Sequence, residues 1–181
     1  AELALSTLDI MALIWFLLCW FSYTRYVNKS PKSLVSSMSR WRRRWSLAML
    51  QRDNRIMDAQ VITGLNNVVT FFCSTSIFIT AGLFASIGAS EQIVLLINQM
   101  SFLQTTNIAT VELKLGLLIV IFIYSFFKFG WAIKQHSYSA VILASVPPAD
   151  EADLQRDTPI ATLMGKLSSL GSQHFNDGVR G

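Results

Sequence analysis

The densest cluster of residues able to do chemistry is the run RDNRIMDAQ at residues 52–60. On a helix Arg55 and Asp58 lie three apart and face one another, as do Arg52 and Arg55. Asp53 lies between the two arginines, and Asn66 and Asn67 carry polarity about two turns further along. Two readings are open. One is an ion-paired, hydrogen-bonded elbow that fixes the junction between a surface helix and a membrane span. The other is an ion or proton path with Asp58 as the titrating group, because paired charges at membrane depth can mark such a route.

The remaining polar candidates are weaker. Asp9 lies near the start of the first apolar segment, where outer headgroups can accommodate a carboxylate. Lys128 sits near the inner edge of the third segment, where its long side chain can snorkel. His136 and His174 are the two histidines, and both fall on cytoplasmic flanks rather than inside spans, which argues against haem ligation. Cys19 and Cys73 lie in apolar runs and read as small buried hydrophobes, with no C-x-x-C spacing for metal or redox work. H-E-x-x-H, G-x-S-x-G, a Walker loop and G-x-G-x-x-G are all absent from the sequence. No catalytic, cofactor-binding or metal-binding residue is assigned, no cofactor is expected, and the expectation is a non-enzymatic protein.

Composition says what must position these groups. The chain has 181 residues, with 15 Lys+Arg and 11 Asp+Glu, where an ordinary soluble domain of this length carries roughly 45 charges. Hydrophobic residues make up 52% and the mean hydropathy is +0.43. These values exclude a disordered tail, a secreted disulfide scaffold and most cytosolic enzymes. The pI of 9.3 and net charge of +4 would fit nucleic acid if spread over a surface. Most of the positive charge instead occupies one loop between apolar segments, which suits a membrane surface and not nucleic acid.

Three spans are expected, at 1–24, 61–89 and 113–134. No charge occurs between Asp58 and Glu91, a run of 32 residues, and a span needs about 20. Residues 24–60 hold nine basic residues against Asp53 and Asp58, while 90–112 has none. By the positive-inside rule the first of these loops is cytoplasmic, the N-terminus is outside and the C-terminal region is inside.

Within residues 25–60, Leu34, Met38, Trp41, Trp45, Ala48 or Met49, and Ile56 recur at spacings of three and four. The spacing predicts an amphipathic helix in the headgroup layer, started at Ser30-Pro31. Arg40, Arg42, Arg43 and Arg44 are its expected contacts to anionic lipid headgroups. Residues 90–112 are too polar to span. They begin with the apolar run IVLLI and continue through Asn98, Gln99, Gln104, Thr105, Thr106 and Asn107. A short outer-surface helix and loop are expected. In the second span, Ala81, Gly82, Ala85, Ser86 and Ala89 set small residues at fourth positions, so helix backbones can approach closely. The approaching helix could belong to the same chain or to another subunit. Beyond the third span, Val146-Pro147-Pro148 breaks the helix, an acidic linker follows, and 160–175 reads as a short amphipathic helix in the cytoplasmic region 135–181.

RDNRIMDAQ (52–60), TFFCST (70–75), ELKLGLLIVIFIYSFFKFGWAIKQHSYSAVIL (112–143) and HFNDGVR (174–180) together resemble the bacterial membrane proteins called domain of unknown function 599. The resemblance covers most of the chain and implies a multi-span protein of the bacterial inner membrane. It supplies no activity, substrate or catalytic residue. It also implies a tyrosine-bearing fourth span beyond Gly181, for which the 160–180 helix would be the cytoplasmic approach. A shortened member and a partial chain both fit.

The expectation is thus an all-α polytopic transmembrane bundle with amphipathic cytoplasmic surface helices. Its expected role is that of a structural or accessory subunit, associating with itself or with another membrane protein. The alternative is a small oligomeric channel or transporter built around Arg55, Asp58, Asn66 and Asn67.

Overall fold

The computed structural model describes residues 7–29, 34–99 and 107–180. Among them every regular element is helical: α1 (Thr7–Lys29), α2 (Leu34–Ala48), α3 (Ile56–Gly88), α4 (Ser90–Gln99), α5 (Ile108–Ser145) and α6 (Leu154–Val179). Local sequence explains most ends. Asn107 caps α5 by accepting the Thr110 N–H at 2.8 Å, and Val146-Pro147 stops that helix in extended backbone. Asp153 caps α6 by accepting from Gln155 and Arg156. Asp157 reaches back to the Asp153 N–H at 3.0 Å, as in a capping box. Ser30-Pro31 and the stretch holding Gln104, Thr105 and Thr106 lie outside the described residues, as does the side chain of Asp9.

Two helices, α3 and α5, are long and apolar enough to cross a membrane; α1 contributes a shorter apolar stretch, Ile10–Tyr26. Only 11% of the most apolar window of α3 is buried within the chain. Both long helices outrun their hydropathy: α3 begins five residues before 61, and α5 continues to Ser145 rather than stopping at 134. Hydropathy marks where a helix suits lipid. Helix ends follow from caps and breakers.

Two further expectations are corrected. The amphipathic helix does not reach Ile56 or residue 60. It ends at Ala48, passes through a 3-10 turn (Met49–Gln51), and Arg52 is extended. The Asn54 side chain then accepts the Ile56 N–H at 3.0 Å, which starts α3 afresh. The C-terminal helix is not short. α6 has 26 residues and packs along α5 and α2, burying Ala161, Met164, Gly165, Ser168, Gly171, Ser172 and Gly178. One core cluster joins Met49 and Leu50 to Ile62, Leu143, Ala161 and Met164. A second joins Val69, Phe129 and Ala132, with the rings of Phe72, Phe129 and Phe175 all within 5.9 Å of one another. α1 lies alongside α5 and runs parallel to it. Residues near Ile10 lie level with Thr110–Lys114, and Trp20 meets Tyr124 edge-on at 6.4 Å.

Candidate functional site

Asp58 is 1% exposed, in the first turn of α3. A single carboxylate oxygen, Oδ1, accepts from Arg52 Nη1 at 2.6 Å and from Trp45 Nε1 at 2.6 Å. The sequence pairing of Arg55 with Asp58 is not formed. Arg55 precedes the first turn of α3, off the helical spacing that the i, i+3 argument assumes. Its guanidinium instead donates to the Val146 and Pro147 carbonyls, 2.5 Å each, where α5 has ended and its last carbonyls lack helical partners. The elbow therefore ties together α2, the 52–55 turn, α3 and the end of α5. Asp53 is exposed, Asn67 is exposed, and Asn66 is half-buried with its Oδ1 enclosed and unpartnered. Asp58 Oδ2 and Arg55 Nε are likewise buried without a partner.

The arginine cluster divides. Arg40, Arg43 and Arg44 are exposed, and Arg44 stacks over the Trp41 ring at 5.4 Å. Arg42 is turned toward α6, half-buried, and burial pushes its guanidinium below the usual value. Its backbone carbonyl lies so close to α6 that a Cβ on Gly165 would stand 3.2 Å from it.

On α3 the small residues Ala81, Gly82 and Ala85 are exposed, and Ser86 and Ala89 are half-buried. Among the described residues, a Cβ on Gly82 would meet nothing within 4 Å. The histidines are not loose flanks. His136 is 1% exposed with its ring laid against Gly171, and His174 meets Trp131 edge-on at 6.3 Å. Cys73 is half-buried beside the second core cluster, whereas Cys19 is exposed on α1 rather than buried. Among the described residues no group of three His, Cys, Asp or Glu could hold a metal ion.

One constellation went unread in the sequence. Where α1, α5 and α6 converge, a hollow of about 190 Å³ is lined by Trp20, Phe21, Thr24, Tyr124, Asp177 and Arg180. Lys128 stands at its edge, its Nζ 5.4 Å over the Tyr124 ring and 3.5 Å from Asp177 Oδ2. Aromatic walls with a few converging polar groups are the make-up of a ligand site. The signal was present in HFNDGVR, whose Asp177 and Arg180 supply the polar end. Linear spacing could not bring α1 to it.

No curated protein and no solved structure matches the chain significantly. A family model does match, over residues 11–181, nearly the whole length and including all four sequence blocks quoted above. The chain belongs to the family described as protein of unknown function, DUF599.

Proposed function

We propose that this is an integral protein of the bacterial inner membrane, acting as a non-enzymatic structural or accessory subunit. It would be completed by a second copy or by another membrane protein. The observation that carries this reading is the small-residue face of α3, where Ala81, Gly82 and Ala85 are exposed and, among the described residues, nothing lies within 4 Å of a Cβ on Gly82. In lipid, apolar surface gains nothing by association. Close backbone approach at such faces is the available force. Phe78, Phe127 and Trp15 are at least 69% exposed, which fits a hydrocarbon surround.

In this reading α1, α3 and α5 make three alternating passes with the basic loop cytoplasmic, and Arg40, Arg43 and Arg44 face anionic headgroups. The elbow serves as a clamp, since Asp58 Oδ1 and the Arg55 guanidinium are already engaged by the fold. The unpartnered Asp58 Oδ2 and Asn66 Oδ1 favour the second reading, a small oligomeric channel.

The mass of the detergent-extracted particle tests the proposal. A multiple of one 20.3 kDa chain, or a stable complex with a second protein, is expected. Gly82→Leu should weaken that assembly without affecting membrane insertion. A wild-type protein mass of one chain refutes it, and ion flux in liposomes abolished by Asp58→Asn would favour the channel.

A further inference from the structure

Two hollows share the seam between α1 and α5. The inner one is the aromatic, charged hollow of Trp20, Tyr124, Asp177 and Arg180. The outer one is about 430 Å³ and is walled mainly by apolar side chains, among them Ile10, Leu13 and Phe16 of α1 and Leu117 and Ile121 of α5, with Thr110 and Lys114 at its outer end. They adjoin: Phe16 and Trp20 are one turn apart on α1 with ring centroids 6.0 Å apart, and Ile121 and Tyr124 are three apart on α5. The seam is thus one lateral groove, apolar along most of its length, with an aromatic, charged inner end and Thr110 and Lys114 at the outer end.

We propose that this groove holds one phospholipid of the cytoplasmic leaflet, with its phosphodiester on Lys128 and Arg180 and one acyl chain running outward between α1 and α5. Two features select this occupant. Charge comes first: Lys128, Arg180 and Asp177 together carry one net positive charge, the complement of the single negative charge of a phosphodiester. Guanidinium and ammonium donors are also the groups that bind phosphate. Access is the second, since a groove open along two apolar helices admits an amphiphile sideways from the bilayer. A soluble phosphate would use the inner end and leave the longer apolar part unfilled. The inference rests on the membrane-spanning reading above. Membrane extraction tests that reading separately: a chain released only by detergent, yet without this lipid site, overturns the inference alone.

The test uses the full chain in unbrominated dodecyl maltoside, titrated with phosphatidylglycerol carrying brominated acyl chains. Bromine quenches nearby tryptophan, and the difference between wild type and Trp20→Phe isolates Trp20. The Trp20 signal should be quenched saturably, at one lipid per chain. Lys128→Gln with Arg180→Gln should weaken that binding about tenfold or more, whereas Arg180→Lys, which keeps the charge, should largely preserve it. Leu117→Phe, which fills the groove but leaves the cations in place, should also lower occupancy. Inorganic phosphate should not compete. Overturning results are absence of saturable Trp20 quenching, equal binding by the double Gln variant with native helix content, competition by inorganic phosphate, or a second protein chain occupying the seam in place of lipid.

Discussion

Replacing Gly171 with alanine should destabilise the protein, although the same change at Gly64 should stabilise it. Gly171 lies in the interior of α6, and a Cβ there would stand 2.9 Å from His136 Cε1, 3.0 Å from Nε2 and 3.1 Å from Nδ1. The added methyl would press on the face of the imidazole. Carbon atoms sit comfortably at about 3.5–4.0 Å, so the overlap is about 0.6 Å at Cε1 and smaller at the two ring nitrogens. His136 is 1% exposed and has no free volume to retreat into. Overpacking of this kind costs about 1–3 kcal/mol. Alanine recovers about 1 kcal/mol of helix propensity over glycine, leaving a net loss of up to about 2 kcal/mol. For a chain of this length that lowers the unfolding midpoint by up to about 8 °C. At Gly64 nothing lies within 4 Å, so only the propensity gain remains.

Thermal unfolding in detergent, followed by far-UV circular dichroism, compares the two variants directly. A double-mutant cycle sharpens the result: in a His136→Ala background, Gly171→Ala should lose most of its cost, a coupling of about 1 kcal/mol or more. Equal effects at Gly171 and Gly64, or no coupling to His136, would refute the proposed close contact of α5 and α6.

Asp58→Asn should lower stability by about 1–3 kcal/mol, between the values for exposed and buried pairs, because Asp58 is buried while the Arg52 side chain is 45% exposed. Exchanging Arg55 and Asp58 should rescue nothing, since Arg55 serves the α5 carbonyls; rescue in the melting curve would restore the pairing expected from sequence. Acidification should act through the more deeply buried His136 and in part through His174, held below the usual histidine value of 6.5 by burial and then by Lys128, with Asp177 opposing. The fold favours its neutral form, so the unfolded chain takes up the proton first. Its contribution is full above about pH 6.5 and declines as pH falls below that value. His174→Phe should flatten that part of the pH–stability profile, and an unchanged slope would exclude His174 as its source.

The helices that suit lipid were legible because apolarity is a local property of a run of residues. The uncharged stretch after Asp58 announces α3 with no knowledge of its neighbours. The elbow was legible only as a cluster. Arg55 bonds to carbonyls 91 and 92 positions away, and helical spacing assigns it a partner only if residues 55 and 58 share one unbroken helix. Asn54 denies that by starting α3 at Ile56. The hollow at Trp20 and Arg180 was illegible for a related reason, since it exists only once α6 has folded back along α5.

α6 also shows what a pattern of small residues does and does not specify. Its buried Gly165, Ser168, Gly171, Ser172 and Gly178 read as polar and helix-weakening on any hydropathy or propensity scale. Physically they are surfaces without bulk. They let α2 approach at Gly165, His136 lie against Gly171, and Phe129 reach Gly178, each at a distance that a Cβ would violate. α3 carries the same kind of residues at Ala81, Gly82 and Ala85, yet among the described residues nothing comes within 4 Å of a Cβ on Gly82. Spacing of small residues records that a backbone can be approached, not which helix approaches it. Where the chain itself supplies that helix the face is closed, as on α6. The same physics leaves the α3 face open to a helix from outside the chain.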